Sequence, residues 1–276
     1  MRQRLTPRSG RSQGCSVSGR LLIGLAVAAL AIISYSGAKQ INPVTGEEQH
    51  ISISREQEVA LGLQATPELT QQYGGLYDDQ ELQDYLDELG LRLVSDSFAS
   101  RSDYPFDFHL LDDFDTVNAF ALPGGQVFIT AALMQRLENE DQLAGLLSHE
   151  IVHVIGRHSA EQMAKQELTQ GLTGAVVLAT YDPYDPSTQH TAQVALLIGQ
   201  LVNMKYGRAD ELEADGWGVC IMDQAGYDPN EMLRVMEILE EASSGGQPPE
   251  FFSTHPSPDN RMENIRLAIA NLDQCP

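Results

Sequence analysis

The sequence predicts an α+β fold, mainly helical, in which a small antiparallel sheet precedes one central buried helix. Apolar residues recur at helical spacing along much of the chain, as in Leu82, Tyr85, Leu86, Leu89 and Leu93, and again in Leu143, Leu146, Leu147, Ile151, Val154 and Ile155. Strand-like alternation is confined to one region, where Phe106, Phe108 and Leu110 are followed by runs at 117–122 and 126–130. A length of 276 residues with 42% hydrophobic content supports one sizeable core, so residues 39–276 read as a single domain behind an N-terminal segment.

That segment, residues 1–38, has the layout of a signal peptide or signal anchor. Arg2, Arg4, Arg8, Arg11 and Arg20 precede and open an apolar run at 21–33, and Ser36-Gly37-Ala38 supplies the small residues of a cleavage site. Thirteen apolar residues reach about 20 Å as a helix, short of a hydrocarbon core of about 30 Å, which favours cleavage after Ala38. Further on, Ser54 and Gln57 form a capping box for a helix through about Gln64, and Asp79 opens another. Pro123-Gly124-Gly125 makes a turn into the last strand. Asn139, with Gln142 three residues on, caps the central helix. Residues 171–180 and 191–203 are apolar but too short to span a bilayer; they fit core helices, a lid or a membrane-facing hairpin. Asp228-Pro229 and Ser257-Pro258 each open a late helix.

The central helix carries His149-Glu150-Ile151-Val152-His153. Histidines four apart sit about 40° from each other around a helix, so both imidazoles leave one face and can hold one ion. That pattern points to Zn2+, with Glu150 placed to act as general base on a water in the open position. A third ligand is needed. Residues 168–175 hold no carboxylate where thermolysin-like enzymes place one, and the metzincin position is Ser159. His158 falls one residue short, a rotation of about 100° on a helix, which sets it outside the site. Glu211 and Asp215, four apart, share a helix face, whereas Glu213 points elsewhere. On spacing alone, this stretch reads equally well as a third ligand with its orienting partner or as a solvated acidic face.

His149–His153 followed by Arg157-His158, and about sixty residues later by Glu211-Leu212-Glu213-Ala214-Asp215, resembles the HtpX/BepA/LoiP-like zinc metallopeptidases, relatives of the CAAX prenyl proteases. Asn118-Ala119-Phe120-Ala121-Leu122-Pro123-Gly124-Gly125, and Ser253-Thr254-His255-Pro256-Ser257 followed by Arg261, extend the likeness over most of 44–272. The resemblance implies a gluzincin-type metallopeptidase domain with one zinc per chain. It implies zinc ligands His149, His153 and Glu211, catalytic base Glu150 and assisting acid Asp215. His255 is implied as a gating fourth ligand or an oxyanion donor. The last sheet strand, with Gly125 and Val127, is expected to lie at an edge beside the metal and pair with an extended polypeptide substrate. The stretch 204–208 matches loosely, which bears on Arg208. By resemblance the substrates are unfolded or misassembled envelope proteins. The competing reading is an envelope chaperone or assembly factor with conditional or no proteolysis.

Charge and cysteines narrow the setting. Residues 39–276 hold 12 basic and 39 acidic side chains, a net −27, which disfavours nucleic acid as a partner. The chain is expected to be exported, periplasmic or membrane-associated, with membrane contact through the N-terminal segment or residues 171–203. Cys220 and Cys275 can bridge in an oxidising compartment, although Cys220 also fits a core position. His50, His109 and His190 have no companion at ligand spacing and read as structural.

Overall fold

The computed structural model describes residues 17–180, 205–243, 249–256 and 260–276. Helices α1 (Val17–Gly37), α2 (Arg55–Gln72), α3 (Gln80–Ser95), α4 (Ala131–Met134), α5 (Glu140–Ile155) and α6 (His158–Thr180) are followed by α7 (Arg208–Gln224), α8 (Glu231–Ser243), α9 (Phe251–Thr254) and α10 (Arg261–Ala270). Strands β1 (Lys39–Ile41) and β2 (Glu48–His50) form a two-stranded antiparallel sheet, and β3 (Asp107–Leu111), β4 (Ala119–Ala121) and β5 (Gln126–Thr130) form a three-stranded one. The mainly helical α+β class expected from the periodicity is what the chain adopts.

Helix α5 is the axis of the molecule. Residues 142–155 are all buried, including His149, Glu150 and His153, because α3, α6, α7, α8 and the sheet surround it. Asn139 caps its start by accepting from the Gln142 N–H at 2.9 Å. The expected reciprocal bond is displaced by one residue, since the Gln142 amide oxygen takes the Glu138 N–H at 2.8 Å. At the other end, the small β1–β2 unit caps the helix: the Asn42 side-chain amide donates to the Ile155 carbonyl at 2.8 Å and that of Gln49 donates to Gly156. These bonds satisfy carbonyls that a helix end would otherwise leave buried and unpaired.

The larger sheet corrects one expectation. It is mixed, with order β3-β5-β4: β5 runs parallel to β3 and antiparallel to β4. β5 is therefore central, and Gly125 and Val127, expected on an edge strand, lie beside paired neighbours on both sides. All five residues of β5 are buried, the signature of a strand covered on both faces. The free edge beside α5 belongs to β4. Gly124 turns the chain between the two strands at φ +88°, and a side chain there would collide with the backbone of α2 at Val59.

Other elements shift modestly. Helix α2 runs past Gln64 to Gln72 with Pro67 inside it, carried by buried Ala65 and Leu69. Asp228–Asn230 form a turn, with the helix proper starting at Glu231. The Ser257-Pro258 start and the stretch 191–203 lie outside the described residues. Helix α1 packs along α6, and Tyr35 stacks on His50 at 4.2 Å. Leu21, Leu22, Ile23, Leu25, Leu30, Ile32 and Ile33 are exposed on α1. Among the described residues no helix is long and apolar enough to cross a membrane. Cys220 and Cys275 are disulfide-bonded, tying the C-terminal end to α7.

Candidate metal centre and active site

Two helices cross to build the site. The middle of α5 packs against the start of α7, which brings Glu211 and Asp215 to His149 and His153; α9 and α10 close the far side with His255 and Arg261. All six side chains, and Glu150, are buried. One ligand atom each from His149, His153, Glu211 and His255 lie within 4.8 Å of one another. The Nε2 atoms of His149 and His153 are 3.0 Å apart. Glu211 carboxylate oxygens stand 3.6 and 3.5 Å from those two nitrogens, and 3.2 Å from His255 Nδ1. Two donors about 2.05 Å from one tetrahedral ion are about 3.3 Å apart, so these spacings fit an ion of zinc's size.

Charge and hydrogen bonding agree with that fit. Both carboxylate oxygens of Glu150, Oε2 of Glu211, Nε2 of His255 and Nη1 of Arg261 are buried with no hydrogen-bond partner among the described residues. Orphans of that kind are costly unless something between them is bound. With Glu150 ionised, the three carboxylates exceed Arg261 by two negative charges, which one divalent cation neutralises. Burial would lower the His149 imidazole, yet the hydrogen bond to Asp215 and the nearby Glu211 carboxylate push it up to about 9. His153 goes the other way, held well below the usual range by burial and by the neighbouring histidines. Burial alone would raise Glu211, but His255 and His149 keep it well below the ordinary carboxylate range. Glu150 is raised, chiefly by burial.

The sequence-predicted residues divide cleanly. His149, His153, Glu211 and His255 converge. Glu150 stands beside them, with Oε1 3.6 Å from His255 Nε2. Asp215 sits behind the cluster: Oδ1 is 2.9 Å from His149 Nδ1, and the Arg261 guanidinium binds Oδ2 at 2.8 Å and Oδ1 at 2.9 Å. Both oxygens of Asp215, expected by resemblance to be an assisting acid, are engaged by His149 and Arg261. Arg208 is exposed and takes no part in the cluster. His158 is not among the four residues whose ligand atoms converge; its Nδ1 lies 2.8 Å from His153 Nδ1.

Three participants escape sequence reasoning. Arg261 appeared only as part of the resemblance, with no role, yet its Nη1 also lies 3.3 Å from Glu211. Tyr206 stacks on His153 with ring centroids 3.8 Å apart and donates to the Ala121 carbonyl on the β4 edge at 3.1 Å. Phe251 stacks on His255 at 4.3 Å and fixes that ring's plane. A lone aromatic before a helix start is the only sequence signal for Tyr206, and it is weak.

Two histidines of one helix facing a glutamate from a second helix, with a further glutamate beside them, form the arrangement of a gluzincin-type metal site. The chain belongs to peptidase family M48, whose profile matches residues 80–269. It is 36% identical over 202 residues to the beta-barrel assembly-enhancing protease of Escherichia coli (strain K12), covering 69% of this chain and 39% of the relative. The protein of that name from Yersinia pestis is 34% identical over 83% of this chain and 47% of the relative. The mitochondrial metalloendopeptidase OMA1 of Schizosaccharomyces pombe is 32% identical over 81% of this chain and 64% of the relative. The chain spans less than half the length of these two bacterial relatives.

Proposed function

We propose that this chain is a zinc metalloendopeptidase that hydrolyses internal peptide bonds of unfolded or misassembled envelope proteins. One observation carries the reading: ligand atoms of His149, His153, Glu211 and His255 converge within 4.8 Å beside buried Glu150, whose oxygens have no hydrogen-bond partner among the described residues. When bound, zinc supplies a Lewis acid for the scissile carbonyl and for the attacking water. The chain's own groups do the rest. His149, His153 and Glu211 hold the ion, and Asp215 fixes the His149 ring. Glu150 takes the proton from water and delivers it to the leaving amine; its burial-raised affinity for a proton suits it to both steps. The substrate strand is β4 in place of Gly125 and Val127, since pairing needs an edge. Tyr206 and Phe251 occupy that edge at Ala121 and Val117, so a peptide has to displace them.

His255 acts as a gate. Its Nδ1 lies 3.4 Å from His149 Nε2, inside the ligand cluster, so it completes a fourth position that catalysis needs open. That geometry also keeps alive the second reading, an assembly factor whose hydrolysis is conditional. The disulfide suits export to an oxidising compartment, and the exposed apolar residues of α1 are the surface for membrane contact. Metal analysis tests the core of the proposal: the wild type should hold one zinc per chain, and His149→Ala or Glu211→Ala should lose it. Stoichiometric zinc in Glu211→Ala would remove that residue from the site.

A further inference from the structure

We propose that His158 is a positioning residue for the metal ligand His153, backed in turn by Glu213. The inference rests on the zinc reading and adds a residue to it. His153 directs Nε2 at the cluster, 3.0 Å from His149 Nε2 and 3.5 Å from Glu211. Its Nδ1 therefore carries the proton when Nε2 binds a metal, and that N–H needs an acceptor. For His149 the acceptor is the Asp215 carboxylate. For His153 it is a second imidazole, with His158 Nδ1 only 2.8 Å away. Accepting at Nδ1 leaves His158 with its proton on Nε2, and that atom faces Glu213 Oε2 at 3.5 Å with no other partner among the described residues. The two histidine ligands are thus oriented differently, one by a carboxylate directly and the other through a relay.

The local chain is shaped for this contact. Helix α5 stops at Ile155, and the next two residues turn it back. A side-chain carbon on Gly156 would lie 2.6 Å from His158 Nε2 and 2.7 Å from the Val152 carbonyl, so a larger residue there would push the His158 ring away. Arg157 takes a left-handed conformation, φ +57°, unusual for a residue with a side chain. It is held there by buried Glu58 and by the Ile53 carbonyl. His158 then opens α6 with its ring folded over the last turn of α5. Glu58, through Arg157, sets where His158 begins.

Zinc affinity by chelator competition tests the relay in wild type, His158→Leu, His158→Asn and Glu213→Gln, all as the full chain. Leucine fills the space and removes the acceptor; asparagine places an oxygen where Nδ1 stood. His158→Leu should bind zinc about 10- to 100-fold more weakly, His158→Asn within about threefold of wild type, and Glu213→Gln between them. Long-range proton–nitrogen NMR of the zinc-loaded wild type should show His153 protonated at Nδ1 and His158 at Nε2. Equal affinity in all four proteins, or a His158 proton on Nδ1, overturns the proposal. A loss in His158→Leu that asparagine does not rescue, matched by lower metal-free melting temperature, overturns it in favour of packing. If His158→Leu fails to fold, the NMR tautomers and Glu213→Gln still decide. Wild type lacking stoichiometric zinc would strike the metal reading itself, a separate failure.

Discussion

Arg261→Leu should destabilise the fold far more than an ordinary surface change, because the arginine is the only cation supplied to the site by a lysine or arginine among the described residues. It is 2% exposed, donates to both oxygens of Asp215 at 2.8 and 2.9 Å, and lies 3.3 Å from Glu211. Leucine roughly fills the volume but strands two carboxylates whose side chains are fully buried. Removing one member of a buried pair costs about 3–5 kcal/mol, which in a domain of this size lowers the melting temperature by about 6–20 °C. Lysine restores the charge without the fork, so Arg261→Lys should recover only part of the loss. Urea unfolding of the chelated, metal-free proteins gives the number, with saturating zinc as a second series. A loss below about 1 kcal/mol for Arg261→Leu would put this pair in the class of exposed bridges and refute the charge count that argues for a divalent ion.

Other outcomes follow from the same geometry. His255→Ala should raise basal proteolysis with zinc retained if His255 gates the site; activity lowered about a hundredfold would make it an oxyanion donor, and unchanged rates would remove it from the mechanism. Cys220→Ser or Cys275→Ser opens a link spanning 55 residues of sequence, worth up to about 4 kcal/mol of loop entropy; unfolding midpoints identical to the wild type would show that the bridge adds nothing. Glu58→Gln should weaken the hold on Arg157 by about 1–3 kcal/mol and, through His158, reduce zinc affinity; an affinity unchanged in a destabilised protein would separate the two effects.

The fold class and the convergence of His149 and His153 on one face of α5 were legible because each rests on one period. Helical spacing placed 143–155 inside, and the four-residue interval between His149 and His153 placed both rings on one face. Glu211 and Asp215 shared a face by the same arithmetic, but that they meet α5 depends on helix packing, which spacing does not encode. Strand order was not legible. Alternation at Phe106, Phe108 and Leu110 and the runs that follow located all three strands, yet a two-residue period says which face a side chain takes and nothing about which strand lies between the others. The unbroken burial of β5 was available as a signal, since 126–130 includes three consecutive apolar residues, Val127, Phe128 and Ile129. His158 was set aside on helical geometry that did not apply to it: the helix ends at Ile155, and the left-handed Arg157 returns the ring to His153.

Hydrolysis of unfolded casein by wild type and Glu150→Gln, at matched zinc content, tests the central claim most directly. Glutamine keeps the shape of the side chain and loses the base, so one zinc per chain should remain in both proteins while the rate falls by at least about a hundredfold. Equal rates in the two proteins, or no hydrolysis by either while both suppress aggregation, would contradict the assignment of Glu150 as the base of a peptidase.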